Sequence, residues 1–130
     1  MTAVDTNILV RFLVKDDKIQ YESASEIFRS QEVFIPRTVV LETEWVLRYV
    51  YDFDSREILN AFKILFGLPG IRTEDLHIIS EAVSMAENGL DFADALHLAS
   101  SSGADKFMSF DKSLVKKAGI LTRMKIEIPK

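Results

Sequence analysis

Two short apolar stretches, TAV ahead of Asp5 and KFMSF ahead of Asp111, each stop on an aspartate and run straight into a helix-like segment. A brief apolar run followed at once by helical spacing reads as a buried strand that delivers the chain into a crossover helix. Repeated along the chain, that alternation leads to an α/β domain with a mainly parallel sheet and right-handed crossovers. In such sheets ligands bind beyond the carboxyl ends of the strands. Asp5 and Asp111 are therefore expected on one edge, where ionised carboxylates repel unless a cation bridges them.

The segments between these points fit the same plan. NILVRFLVK reads as a helix interrupted by Lys15-Asp16-Asp17-Lys18, and residues 21–30 as a second helix with Ala24, Ile27 and Phe28 on one face. Glu32-Val33-Phe34-Ile35 is strand-like, and Pro36 stands where the start of the long helix TVVLETEWVLRYVY tolerates proline. Ser55 opens a helix with Glu57 in its first turn, and Gly67-Leu68-Pro69-Gly70 is a turn. Residues 74–88 read as a helix stopped by Gly89, and DFADALHLASSS as another stopped by Gly103. Residues 106–110 are expected to form a buried strand, KSLVKKA a helix, and Ile120-Leu121 and residues 126–128 short strands.

A chain of 130 residues, 48% hydrophobic and 28% charged, without repeats or Pro/Gly/Ser linkers, is expected to form one domain spanning 1–130. No apolar run approaches the roughly 20 residues that cross a bilayer. Asp5, Asn7 and Arg11 interrupt the first apolar run, unlike a signal peptide. The absence of cysteine excludes disulfides, thiol catalysis and zinc–thiolate centres, and the expected compartment is the cytoplasm. The net charge of −4 conceals an asymmetry. Seven Lys/Arg stand against three Asp/Glu from Gly103 onward, so the first 102 residues are strongly acidic. Carboxylates gathered around a divalent cation would account for that acidity.

Each acidic candidate has a plain structural use. Asp5 and Asp111 stand where helix caps stand, and a cap contributes about 1 kcal/mol. Asp91 and Asp94 are three apart and share a helical face; Asp91 suits the cap, whereas Asp94, next to Ala95-Leu96, suits a site. Glu42 and Glu44 are two apart and cannot share a face, so one should face a site and the other water. Periodicity leaves that choice open. An all-oxygen carboxylate set suits Mg²⁺ or Mn²⁺, which can activate water without a protein nucleophile. His77 and His97 read as ordinary helical residues, and Trp45 and the phenylalanines as core rather than as a base-stacking platform.

Four stretches taken together, AVDTNILVRFLVKDD, IPRTVVLETEWVLR, GLDFADALHLA and FMSFDKSL, resemble PIN-domain proteins, and among these the ribonuclease toxins of the VapC type. The resemblance runs nearly end to end. It implies a Rossmann-like, three-layer α/β/α domain around a short, mainly parallel sheet, and an endoribonuclease dependent on Mg²⁺ or Mn²⁺. The family's acidic quartet falls on Asp5, Glu42, Asp94 and Asp111, which resolves the choice between Glu42 and Glu44. Asp5, Asp94 and Asp111 would be metal ligands, and Glu42 a ligand or the group that orients water. Attack by metal-activated water would leave a 5′-phosphate and a 3′-hydroxyl. Asp91, Asn7 and Ser109 match supporting polar positions. Arg11, Lys112, Lys116 and Lys117 are candidates for phosphate contacts. The resemblance further implies a homodimer and a cognate antitoxin whose tail covers the acidic pocket.

Two other chemistries use strand-end aspartates. A receiver-like phosphotransfer domain needs an aspartate at the end of a middle strand, but Ile35 leads directly into Pro36. A haloacid-dehalogenase-like site needs a second aspartate two residues after the first, where Asn7 stands. A PIN-like binding or scaffold module, and a nuclease for RNA processing or DNA, remain the alternatives.

Overall fold

Aspartates start five of the seven helices. The computed structural model describes residues 1–130 and places Asp5, Asp17, Asp54, Asp91 and Asp111 as N-caps, each accepting a backbone N–H from the first turn it opens. Asp54 goes further and forms a reciprocal capping box with Glu57. The chain divides into two compact units, Met1–Leu76 and His77–Lys130.

In the first unit, β1 (Thr2–Ala3), α1 (Thr6–Val14), α2 (Lys18–Ser30), β2 (Val33–Phe34), α3 (Arg37–Tyr49), α4 (Ser55–Phe66) and β3 (Ile71–Arg72) follow in order. The three strands are parallel in the order β1-β2-β3, with Thr2 opposite Val33 and Val33 opposite Ile71. Parallel neighbours need long crossovers, and helix pairs supply them here. Val33 and Ile35 of the central segment are fully buried, as are Leu9, Val40, Leu47 and Phe62 from the helices. Phe12 of α1 stacks on Phe28 of α2 with centroids 4.1 Å apart, which joins those two helices. Lys15 ends α1 in the left-handed region at φ 62°, so the break falls where the polar run Lys15-Asp16-Asp17-Lys18 begins.

β3 was not expected. Two residues after the Gly67–Gly70 turn carry no readable period, and only pairing with β2 makes them a strand. That pairing has a consequence for α3. Pro36 offers no side-chain cap, and the parallel register brings Glu74, just past β3, to the start of α3. Both Glu74 oxygens accept the Arg37 backbone N–H, at 2.9 and 3.0 Å, and Oε2 also takes Arg37 Nε at 3.1 Å. The next helix therefore begins at Leu76 and not at residue 74 as its sequence suggested. Glu74→Ala should lower stability by about 1 kcal/mol, the usual cost of a lost cap, with the urea midpoint as the readout. An unchanged midpoint would show that water caps α3 equally well.

The second unit begins one residue into α5 (Leu76–Glu87) and then holds α6 (Phe92–Ala99), β4 (Lys106–Met108), α7 (Lys112–Leu121) and β5 (Lys125–Glu127). β4 and β5 are parallel, with Phe107 opposite Ile126, and α7 is their crossover. Gly89, at φ 104°, ends α5 as its position predicted. Ile79, Val83, Phe92, Leu96, Leu98 and Leu114 form the core of this unit.

Three expectations need correction. β4 is not a buried strand: it alternates, with Phe107 half-buried and Met108 and Phe110 exposed at 46% and 80%. Ile120-Leu121 is not a strand but the last turn of α7, because the helix continues through Gly119. Trp45 is not core: Val40, Thr43, Glu44 and Leu47 form the buried stripe of α3 and turn Trp45 outward. The α/β reading with parallel strands holds. No helix is long and apolar enough to cross a membrane.

Candidate active site

In the first unit, β1 ends two residues before Asp5, and the turn into α1 fixes this side chain. Asp5 Oδ1 accepts the Ile8 N–H at 3.1 Å, where the positive end of the helix also favours a negative group. Thr6, the first residue of α1, donates its hydroxyl to Oε1 of Glu42 on α3. Asp5, Thr6, Asn7 and Glu42 thereby line one open pocket of about 440 Å³, whose apolar side is Val10, Val46 and Val50. Tyr51 completes the lining.

Tyr51 is held from behind. Arg11 Nη1 donates to the Tyr51 hydroxyl at 3.1 Å and to Asp16 Oδ1 at 3.0 Å. Burial works against ionisation of Asp16, but the hydrogen bonds from Arg11 and Tyr51 outweigh it, and its pKa is lowered. Arg11, expected as a phosphate contact, is thus engaged in positioning a pocket wall.

Glu44 does not face water. It is 4% exposed and pairs with Arg48 one turn on, Oε2 to Nε at 3.0 Å. Of the two glutamates, the exposed Glu42 is the one on the pocket.

In the second unit, the acidic residues crowd one another. Asp91 caps α6 by accepting the Asp94 N–H at 3.3 Å. Asp94 is half-buried, and loss of solvent pushes its carboxyl pKa up, reinforced by the charges of Asp91 and then Asp111. His97, one turn later, opposes the shift. Asp111 caps α7 through Leu114 N–H at 3.0 Å, and the Ser109 hydroxyl accepts the Asp111 N–H at 3.0 Å. Ser109 therefore braces the backbone at Asp111 and leaves its carboxylate alone. Lys112 and Lys116 lie exposed on α7.

The donors are all carboxylate oxygens, the chemistry that a hard divalent cation takes. The raised pKa of Asp94 adds that the second unit holds negative charge that favours such a cation or a proton. No group of three or more acidic or histidine side chains stands close enough together to hold a metal ion. Two polar residues of the first unit's pocket went unassigned in the sequence. Thr6 was visible beside Asp5, but its partner lies 36 residues away, and no local pattern links them. Tyr51 follows the end of α3 and joins the pocket only through the packing of α1 on α3.

A search of curated proteins finds no match. The PIN domain family model matches residues 2–120, a span that includes every carboxylate described above. With five parallel-paired strands, seven helices and that match, the chain belongs to the PIN domain family, a nuclease-type fold.

Proposed function

We propose that this PIN domain is a VapC-type endoribonuclease that depends on Mg²⁺ or Mn²⁺. The observation that carries the reading is the acidic grouping in each unit: Asp5 with Glu42 on one pocket, and Asp94 with Asp91 and Asp111. The residues assigned to hold the ion are Asp5, Asp94 and Asp111, with Glu42 as a further ligand or as the group that orients the attacking water. A bound divalent ion would supply Lewis acidity, lowering the pKa of water and offsetting charge on the scissile phosphate.

The remaining work belongs to the chain. Helix caps fix Asp5 and Asp111 through one oxygen each, which limits their rotation and leaves the second oxygen available. Thr6 orients Glu42 in the same way. Asn7 borders the pocket, and Asp91 and Ser109 hold the turns on which Asp94 and Asp111 stand. Lys112 and Lys116 are assigned to phosphate contacts on the RNA. The assignment extends to a homodimer and a cognate antitoxin in the cytoplasm.

The test is incubation of the purified protein with labelled total RNA and Mg²⁺ or Mn²⁺, beside Asp5→Asn and with EDTA. Cleavage is expected from the wild type alone, at a rate lost by about a hundredfold or more in the variant, beyond what loss of a supporting group costs. Products should carry 5′-phosphates. Equal cleavage by wild type and variant would remove the carboxylates from the mechanism. A folded, metal-responsive protein that binds RNA and never cleaves it would favour the binding-module alternative.

A further inference from the structure

The outward face of α3 carries aromatic surface that the fold does not use. Trp45 and Tyr49 are 54% and 61% exposed, with ring centroids 5.3 Å apart. The Arg48 guanidinium lies 4.8 Å from the Tyr49 ring centroid, a cation–π contact at the edge of the pair. Positions 42, 45, 46 and 49 share one helical face, and Glu42 and Val46 line the pocket that holds Asp5. Val50, also in that lining, is 64% exposed. The aromatic pair is therefore continuous with the acidic pocket. Trp45 lies about 4.5 Å along the helix axis from Glu42, at the usual rise per residue.

We propose that Trp45 and Tyr49 form a stacking platform for an unpaired base of the nucleic-acid strand whose backbone lies at the Asp5–Glu42 pocket. The Trp45 ring supplies the stacking face, with Tyr49 tilted 44° against it and Arg48 over the Tyr49 ring. Such a face suits a base, because every base offers a π-face and stacking needs no hydrogen-bond code. The patch does not suit a stable protein partner by itself. Two rings and a valine fall well short of the roughly 800 Å² that each side of a standard interface buries, and the charged Glu42 and Arg48 lie among them. The platform would select single-stranded over duplex nucleic acid, since the faces of a base inside a duplex are already stacked on its neighbours. The inference rests on the nuclease reading for its substrate class but not for its test.

Trp45 is the chain's single tryptophan, so its fluorescence reports the platform directly. The experiment titrates the whole protein, in Ca²⁺ to screen the carboxylates, with a short single-stranded oligonucleotide and with an abasic strand of equal length. The base-containing strand should quench Trp45 emission to saturation, and the abasic strand should not. Anisotropy of a labelled strand should show affinity roughly tenfold weaker in Trp45→Ala, the loss of about one stacked base, with Trp45→Phe retaining most of it. Both variants should keep the wild-type urea midpoint, because the ring is exposed. Absence of quenching, whether or not the labelled strand binds, overturns the proposal. So does a blue shift of Trp45 emission with rising protein concentration alone, which would mean that a second copy covers the face. Saturable quenching in a protein that cleaves nothing would uphold the platform and sink the nuclease reading instead.

Discussion

Asp94→Asn is expected to make the protein more stable at neutral pH and to cost it most of the proposed RNA cleavage. The carboxyl is half-buried and faces the charges of Asp91 and Asp111, so its pKa in the folded chain is raised above the ordinary 3.8. A group of this kind holds its proton more tightly when folded. The stability it lends is complete below its unfolded pKa and is lost as pH rises through the folded value. Asparagine keeps the shape without the charge. Wild type and variant should therefore have matching urea midpoints below 3.8, and the variant should pull ahead as pH rises through the raised pKa. Added Mg²⁺ should narrow the gap by stabilising the wild type more than the variant, which has lost one of the assigned carboxylates. Activity should fall by about a hundredfold or more, as for Asp5→Asn. A variant less stable than wild type at pH 7 would mean that Asp94 is a structural hydrogen-bonding group, and its assignment to the metal would fail.

The second large effect concerns Glu44. A carboxylate that is 4% exposed is tolerated because Arg48 meets it from the next turn of α3. Removing one member of a fully buried pair costs roughly 3–5 kcal/mol, chiefly because the other charge is left without compensation. Arg48 keeps a third of its side chain in water and also leans on Tyr49, so the cost here should be smaller. Glu44→Ala is expected to lose about 2 kcal/mol, which lowers the urea midpoint by about 1 M. Removing both charges at once, as Glu44→Leu with Arg48→Met, should recover most of that loss. The two effects would then be strongly non-additive, as expected for residues in contact. If Glu44→Ala leaves the midpoint in place, or the double variant merely adds two losses, the pair is not what keeps Glu44 inside.

The sequence by itself determined the elements whose causes are local. An aspartate before a helix satisfies orphan N–H groups within three residues, so the starts at Asp5, Asp91 and Asp111 were legible from the residues alone. Gly89 was legible for the same reason, because the left-handed turn it makes is a property of one residue. The alternation of strands and helices followed from short-range hydropathy, and with it the parallel α/β class.

Tertiary structure decided what depends on distant neighbours. β3 exists through its register with β2, Glu74 became the cap of α3 because that register delivered it there, and Thr6 found Glu42 across the packing of α1 on α3. The two glutamates of ETE show the limit most plainly. Their spacing says that they diverge, but which one is buried depends on what lies on each side of α3. The buried stripe through Val40, Thr43 and Leu47 took Glu44 inward with Arg48 as its partner, and left Glu42 for the pocket and Trp45 for solvent. Helical period sets which residues share a face; the surface against which the helix packs decides which face is inside.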